Sequence, residues 1–169
     1  LSHDILHSSV SNAFLINVNH PLATKWGAKS LQERRSADHT LMLLSKHKVL
    51  VAEDGMEDSL KSSIADARRI VEKSILWTDM ARHNEQMEKV AASLDEVTAA
   101  LQEVRKGEIG KGGATVEDVR AGVNISSILD KETRILLAAF LLHCADISNP
   151  SKEWPLCERW AVIVMNEFF

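Results

Sequence analysis

Residues 131–152 read KETRILLAAFLLHCADISNPSK, and this stretch decides the fold class. Ile135 to Leu142 is the longest apolar run in the chain, and its neighbours carry helical rather than alternating punctuation. Asp130 stands ahead of it as a helix cap, with Thr133 and Arg134 following. The run closes on His143 and Asp146, then on an Asn149-Pro150 turn. A carboxylate at the end of a buried segment is costly unless it is paired or bound to a metal. Asp146 therefore either has a partner or escapes into solvent at the helix end, and the spacing leaves both open.

Outward from this segment the same periodicity recurs. Apolar residues fall at helical intervals from Ile5 to Ile16, over Leu41 to Leu44, and at Leu60, Ile64, Ala67, Val71 and Ile75. Asn19-His20-Pro21 breaks the first of these helices, and Asp54-Gly55 opens a turn before the third. Ser93 to Arg105 reads as an amphipathic helix with Leu94, Val97, Leu101 and Val104 on one stripe. Gly107 to Gly113 then reads as a polar surface loop, because the spacing of a phosphate-binding loop and a preceding strand are both missing. No segment sustains a period of two, so the expected fold is all-α.

Of 169 residues 45% are hydrophobic, and seven glycines and three prolines leave little room for disorder. A net charge of −4 with no long basic run excludes a nucleic-acid footprint. The only cysteines, Cys144 and Cys157, form neither a disulfide framework nor a thiolate zinc site by spacing. A reducing, intracellular and cytoplasmic setting is expected, with no membrane insertion by this segment, since the longest apolar run is far too short to span a bilayer. The start at Leu1 and the apolar Phe168-Phe169 end are read as a piece truncated at both ends.

Three clusters carry chemistry. His3-Asp4-Ile5-Leu6-His7 places two imidazoles four residues apart, on one face if the segment is helical, with a carboxylate beside the first. Imidazole and carboxylate hold hydrated divalent metals, though a helical histidine is more often an ordinary surface residue. His143 to Lys152 supplies Asp146. Thr78-Asp79-Met80-Ala81-Arg82-His83 sets Asp79 and His83 four apart, where a plain helix-surface ion pair is the simpler reading.

In this order the clusters resemble the class I 3′,5′-cyclic-nucleotide phosphodiesterase catalytic domain, an all-α, multi-helix member of the HD-type metal-dependent phosphohydrolases. The resemblance runs through His3-Asp4, His7, Val10, Asn12, Phe14-Leu15-Ile16 and Pro21-Leu22-Ala23. It continues through Thr78-Asp79-Met80 with His83, His143 to Lys152, Trp160, Met165 and Glu167-Phe168-Phe169. It implies hydrolysis of cyclic AMP or cyclic GMP to nucleoside 5′-monophosphates in signal transduction, using two divalent ions, zinc with magnesium or manganese. It further implies His3, Asp4 and Asp146 as metal ligands, with Asp4 shared between the ions and acting with His7 in catalysis. Asp79, Met80, Ile147 and Asn149 would line the substrate pocket, and Glu33, Thr78 and His83 would form an outer shell.

The resemblance also implies parts that are not in this sequence: an upstream His-Asn-x-x-His motif with the general acid and a fourth metal ligand, and a downstream glutamine and phenylalanine for the purine. Residues 1–169 are therefore expected to be a partial catalytic domain, inactive alone, with regulatory domains or a homodimer belonging to a longer protein. The spacing from His83 to His143 exceeds the family's, which places an insertion within 93–124. Where the family has a second acid and then a glycine, this chain has Leu6 and Ser9, and where it has Glu-x-His-His, Glu33-Arg34-Arg35-Ser36 stands. These departures keep a rival open, a phosphodiesterase-like pseudoenzyme that binds nucleotide or regulates without turnover.

Overall fold

The computed structural model describes residues 2–109 and 130–168. Seven α-helices run through them: α1 Asn12–Asn17, α2 Pro21–Trp26, α3 Leu31–Lys46, α4 Asp58–Leu76, α5 His83–Ile109, α6 Lys131–Asp146 and α7 Trp154–Phe168. Short 3-10 turns at Met80–Arg82 and Asn149–Ser151 lead into α5 and α7. There is no strand among the described residues, as the periodicity predicts.

Local chemistry sets the boundaries. Asp130 caps α6 by accepting from the Thr133 amide at 2.7 Å. Ser11 does the same for Phe14 at the start of α1, and the His20 ring accepts from Leu22 ahead of Pro21, the first residue of α2. Gly27 ends α2 at φ +79°, a conformation that a side chain resists.

α4 is the central helix, packed against α6 on one side and α3 on the other. Arg69 and Glu132 pair at 2.8 Å across the α4–α6 contact, and Lys131 pairs with Asp66. Trp77 at the end of α4, Val90 in α5 and Ala139 in α6, flanked by Leu136 and Phe140, make an apolar cluster. The interior is otherwise unusually polar: Ser30, Gln32, Ser36, Thr40, Asp79, Gln86 and His143 are all buried. Gln86 is wholly enclosed and donates to the Trp77 carbonyl at 2.7 Å, closing the turn that follows α4. α7 rests on the 149–151 turn and exposes Trp154, Trp160, Val162, Ile163 and Met165.

Two expectations are corrected. The first helix does not reach back to Ile5: residues 3–6 form turns, and a helix starts only at Asn12. Leu6 and Ser9 have φ of 65° and 55°, left-handed values that no right-handed helix passes through, so His3 and His7 share no helix face. The Ser93–Arg105 helix is longer than expected, running from His83 to Ile109 as α5, so Gly107 is helical rather than the start of a loop. The rest of that loop, from Gly110, and residues 110–124 of the expected insertion within 93–124 lie outside the described residues.

Candidate active site

α6 delivers Asp146 at its last turn, and the turn at residues 3–6 delivers His3 and Asp4 to the same point from the other end of the chain. His3 Nε2 lies 2.9 Å from Asp146 Oδ1 and 3.1 Å from Asp4 Oδ2. The ligand-type atoms of these three residues all fall within 4.8 Å of one another. Of the two readings of Asp146, the partnered one holds. The carboxylates, Asp146 first and then Asp4, push the His3 imidazole up from 6.5 to about 9. In return the hydrogen bond from His3 holds the Asp4 carboxyl below its ordinary range.

The segment around this cluster has no regular structure, so its backbone polar groups need side-chain partners. Helix α3 supplies them. Gln32 accepts from the Ser8 amide at 2.9 Å and donates to the Val10 carbonyl at 2.8 Å. Arg35 donates to the Leu6 carbonyl at 3.0 Å, Ser36 to Ile5 at 2.9 Å and Thr40 to Ser2 at 3.3 Å. Asn12 joins the same helix by donating to Glu33 at 2.9 Å, while burial pushes the Glu33 carboxyl up. His7 accepts from the Ser9 amide through Nδ1 at 3.2 Å.

The third cluster differs from its simplest reading. Asp79 is buried and makes no helix-surface pair with His83. Its Oδ2 accepts from the Ser30 hydroxyl at 2.6 Å and its Oδ1 from the Ala81 amide at 3.0 Å, which caps the 3-10 turn and leaves Met80 exposed. His83 Nδ1 instead meets Nε2 of the fully buried His143 at 2.9 Å. Thr78 spends its hydroxyl on the Ile75 carbonyl at the end of α4, at 2.8 Å. Ile147 is exposed, and Asn149 Oδ1 accepts from Lys152 at 2.8 Å.

Sequence reasoning missed Ser30, Gln32, Ser36, Thr40 and His143 as members of the scaffold. The signal available was a polar stripe, Gln32-Arg35-Ser36-Thr40, at helical spacing ahead of Leu41 to Leu44.

The donor set of one imidazole and two carboxylates is chemically that of a hydrated divalent cation, with coordination positions left for water or substrate. A cation there would replace the proton that His3 Nε2 now shares with two carboxylates, so the residues fit such an ion.

A family model described as 3'5'-cyclic nucleotide phosphodiesterase matches residues 1–169. A 3',5'-cyclic-AMP phosphodiesterase of Drosophila melanogaster, isoform F, is 29% identical over 170 residues, covering 99% of this chain and 22% of the relative. A 3',5'-cyclic-AMP phosphodiesterase 4C of Rattus norvegicus is 32% identical over 167 residues, covering 99% of this chain and 26% of the relative. The crystal structure of the phosphodiesterase domain of a RhoPDE fusion protein from the choanoflagellate Salpingoeca rosetta superposes with a TM-score of 0.64. At 24% identity, covering 99% of this chain and 44% of that one, it attests the fold.

Proposed function

The chain belongs to the 3'5'-cyclic nucleotide phosphodiesterase family, and from that premise we propose that it forms the metal-bearing part of a catalytic domain hydrolysing a cyclic nucleotide. It spans only 22% and 26% of the two curated relatives described above, so activity, substrate and partners are proposed for a longer protein. Both relatives are cyclic-AMP phosphodiesterases by name, which makes cyclic AMP the first substrate to test, ahead of cyclic GMP.

The observation that carries the reading is the convergence of His3, Asp4 and Asp146, the hydrogen-bonded His3 and Asp146 standing 143 positions apart in the sequence. Two divalent ions, zinc with magnesium or manganese, would supply Lewis acidity toward the phosphoryl oxygens and a water acidified toward neutral pH. His3 and Asp146 would hold the first, with Asp4 shared between the two. His7, by resemblance, would lie beside the phosphate and the metal-bound waters, next to the exposed Asp4 carboxylate, and would orient them by hydrogen bonding. Met80 would line the metal side of the pocket, and Ile147 with Asn149 would approach the nucleobase; Met80 and Ile147 are both exposed. Asp79 would act from behind, fixing the turn that presents Met80. Regulatory domains, a homodimer and a cytoplasmic setting belong to the same proposal.

A second reading, a binding or regulatory module without turnover, draws on Arg35 and Ser36, which stand where the resemblance expects histidines and spend their donors on backbone carbonyls. The test is hydrolysis of cyclic AMP and cyclic GMP by the longer protein with magnesium or manganese, beside Asp146→Ala. Hydrolysis lost in the variant supports the enzyme. Nucleotide binding with no hydrolysis by either form supports the module.

A further inference from the structure

The metal-motif segment is held by one helix face. Ser36 and Arg35, adjacent in α3, donate to the adjacent carbonyls of Ile5 and Leu6, so the peptides on both sides of Leu6 are fixed. Those peptides separate Asp4 from His7. Leu6 itself has φ 65°, a value that a branched aliphatic residue adopts only when its surroundings impose it. Leu6 is exposed at 45%, so burial of its side chain contributes little. The His7 amide donates to the Asp4 carbonyl at 3.0 Å and closes a turn around Leu6, and the two side-chain hydrogen bonds fix the peptides on either side of it.

We propose that Arg35 and Ser36 are positioning residues that hold Leu6 in its left-handed conformation and thereby set Asp4 for cation binding, with His7 beside it. Release of the two carbonyls leaves the His7–Asp4 turn bond as the remaining restraint, and Leu6 relaxes toward negative φ as that turn opens. That rotation swings the chain between Asp4 and His7 and moves Asp4 away from His3 and Asp146. Ser36 is 1% exposed, so its hydroxyl is shielded from competing water. Gln32 and Thr40 hold the two ends of the segment but touch neither flank of Leu6. The departure from histidine at these positions thus becomes a different way of supporting the same cluster.

The inference rests on the metal-binding reading above, and its test separates the two. The longer protein that contains residues 1–169 is titrated with Zn²⁺ against a chromophoric chelator, alongside Arg35→Met, Ser36→Ala, Arg35→Lys and Asp146→Ala, with helical circular dichroism in a chelator as the check on folding. Arg35→Met and Ser36→Ala are expected to weaken Zn²⁺ binding about 10-fold or more, the range for groups that orient metal ligands, and Arg35→Lys to recover most of it. Leu6→Gly supplies a readout that a merely structural role would not move. With glycine at position 6 the left-handed value needs no support, so Arg35→Met on that background is expected to change the affinity less than about 3-fold. Unaltered affinity in Arg35→Met and Ser36→Ala, with Asp146→Ala abolishing binding, overturns the positioning role and leaves the metal centre standing. Equal losses with leucine or glycine at position 6 also overturn it. Failure of the unaltered chain to take up Zn²⁺ overturns both readings together.

Discussion

Ser30 and Asp79, 49 residues apart, share the shortest side-chain hydrogen bond at the edge of the site, 2.6 Å from hydroxyl to carboxylate, with both residues buried. Ser30 precedes α3 at φ 50° and makes no capping bond of its own, so its hydroxyl is spent on Asp79 rather than on its helix. A buried carboxylate that loses such a donor keeps its desolvation cost without compensation. Ser30→Ala is therefore expected to destabilise the fold by about 1–3 kcal/mol, the usual cost of orphaning a buried polar group, in urea unfolding at pH 7. Asp79→Asn, which retains an oxygen for Ala81 and sterically replaces the carboxylate, is expected to cost less than Asp79→Ala.

His3 ties stability to pH. Its folded value, about 9, lies above the ordinary 6.5, so the folded chain binds the extra proton more tightly than the unfolded one. The stabilisation is complete below about pH 6.5 and is lost as pH rises through about 9. Metal-free protein is expected to melt at a lower temperature at pH 9.5 than at pH 6.5, and Asp146→Asn, which removes the main cause of the shift, is expected to flatten that dependence. Zinc needs the neutral imidazole, so uptake at pH 7 is expected to release about one proton, measurable from calorimetric titrations in buffers of different ionisation enthalpy.

His143 responds in the opposite sense. Burial, and secondarily the charge of His83, lowers its value below 6.5. The unfolded chain then binds protons more readily, so this contribution is present above about pH 6.5 and fades as the medium is acidified. Together the two histidines place the greatest metal-free stability near the ordinary imidazole value, with losses on either side. His143→Ala is expected to cost about 2–4 kcal/mol, since it opens a space in the interior and removes the partner of His83. Chemical denaturation at pH 5.5 and 7 checks both statements, because the variant should show a smaller difference between them.

The helices were legible wherever apolar spacing and a cap coincided. Asp130 ahead of α6 and Asp54-Gly55 before α4 sit where the sequence puts them. The His3–Asp4–Asp146 cluster was legible only through resemblance, because nothing in local spacing brings the two ends of a chain together. The segment from His3 to Val10 misled for a physical reason. Its apolar residues fit a helical period, but α3 bonds the Ile5, Leu6 and Val10 carbonyls and the Ser8 amide of this segment, and tertiary hydrogen bonds override local propensity. The Asp79–His83 spacing misled likewise, since each found a better partner in Ser30 or His143. A polar stripe on a buried helix face is hard to tell from a solvated one until its partners are known.

Ser9 gives the last prediction. The family resemblance expects glycine near this point, and the backbone explains the expectation: φ at Ser9 is 55°, where a Cβ is unfavourable. Its amide donates to His7 Nδ1 and so fixes that ring, a contact that needs the left-handed turn but no side chain at position 9. Two effects compete in Ser9→Gly. Relief of the left-handed strain favours the folded state by about 1–2 kcal/mol, and the greater freedom of glycine in the unfolded chain opposes it by about 0.5–1 kcal/mol. The first is the larger over most of these ranges, so a net gain of up to about 1.5 kcal/mol is expected, with the His7 ring unmoved. Ser9→Val, branched at Cβ, is expected to lose more than about 1 kcal/mol at the same position, because the left-handed well is least accessible to it. Paired urea titrations decide the order. Valine equal to or above serine would mean that the turn at position 9 is not held in the left-handed form in solution, and the orientation of His7 would then need another source.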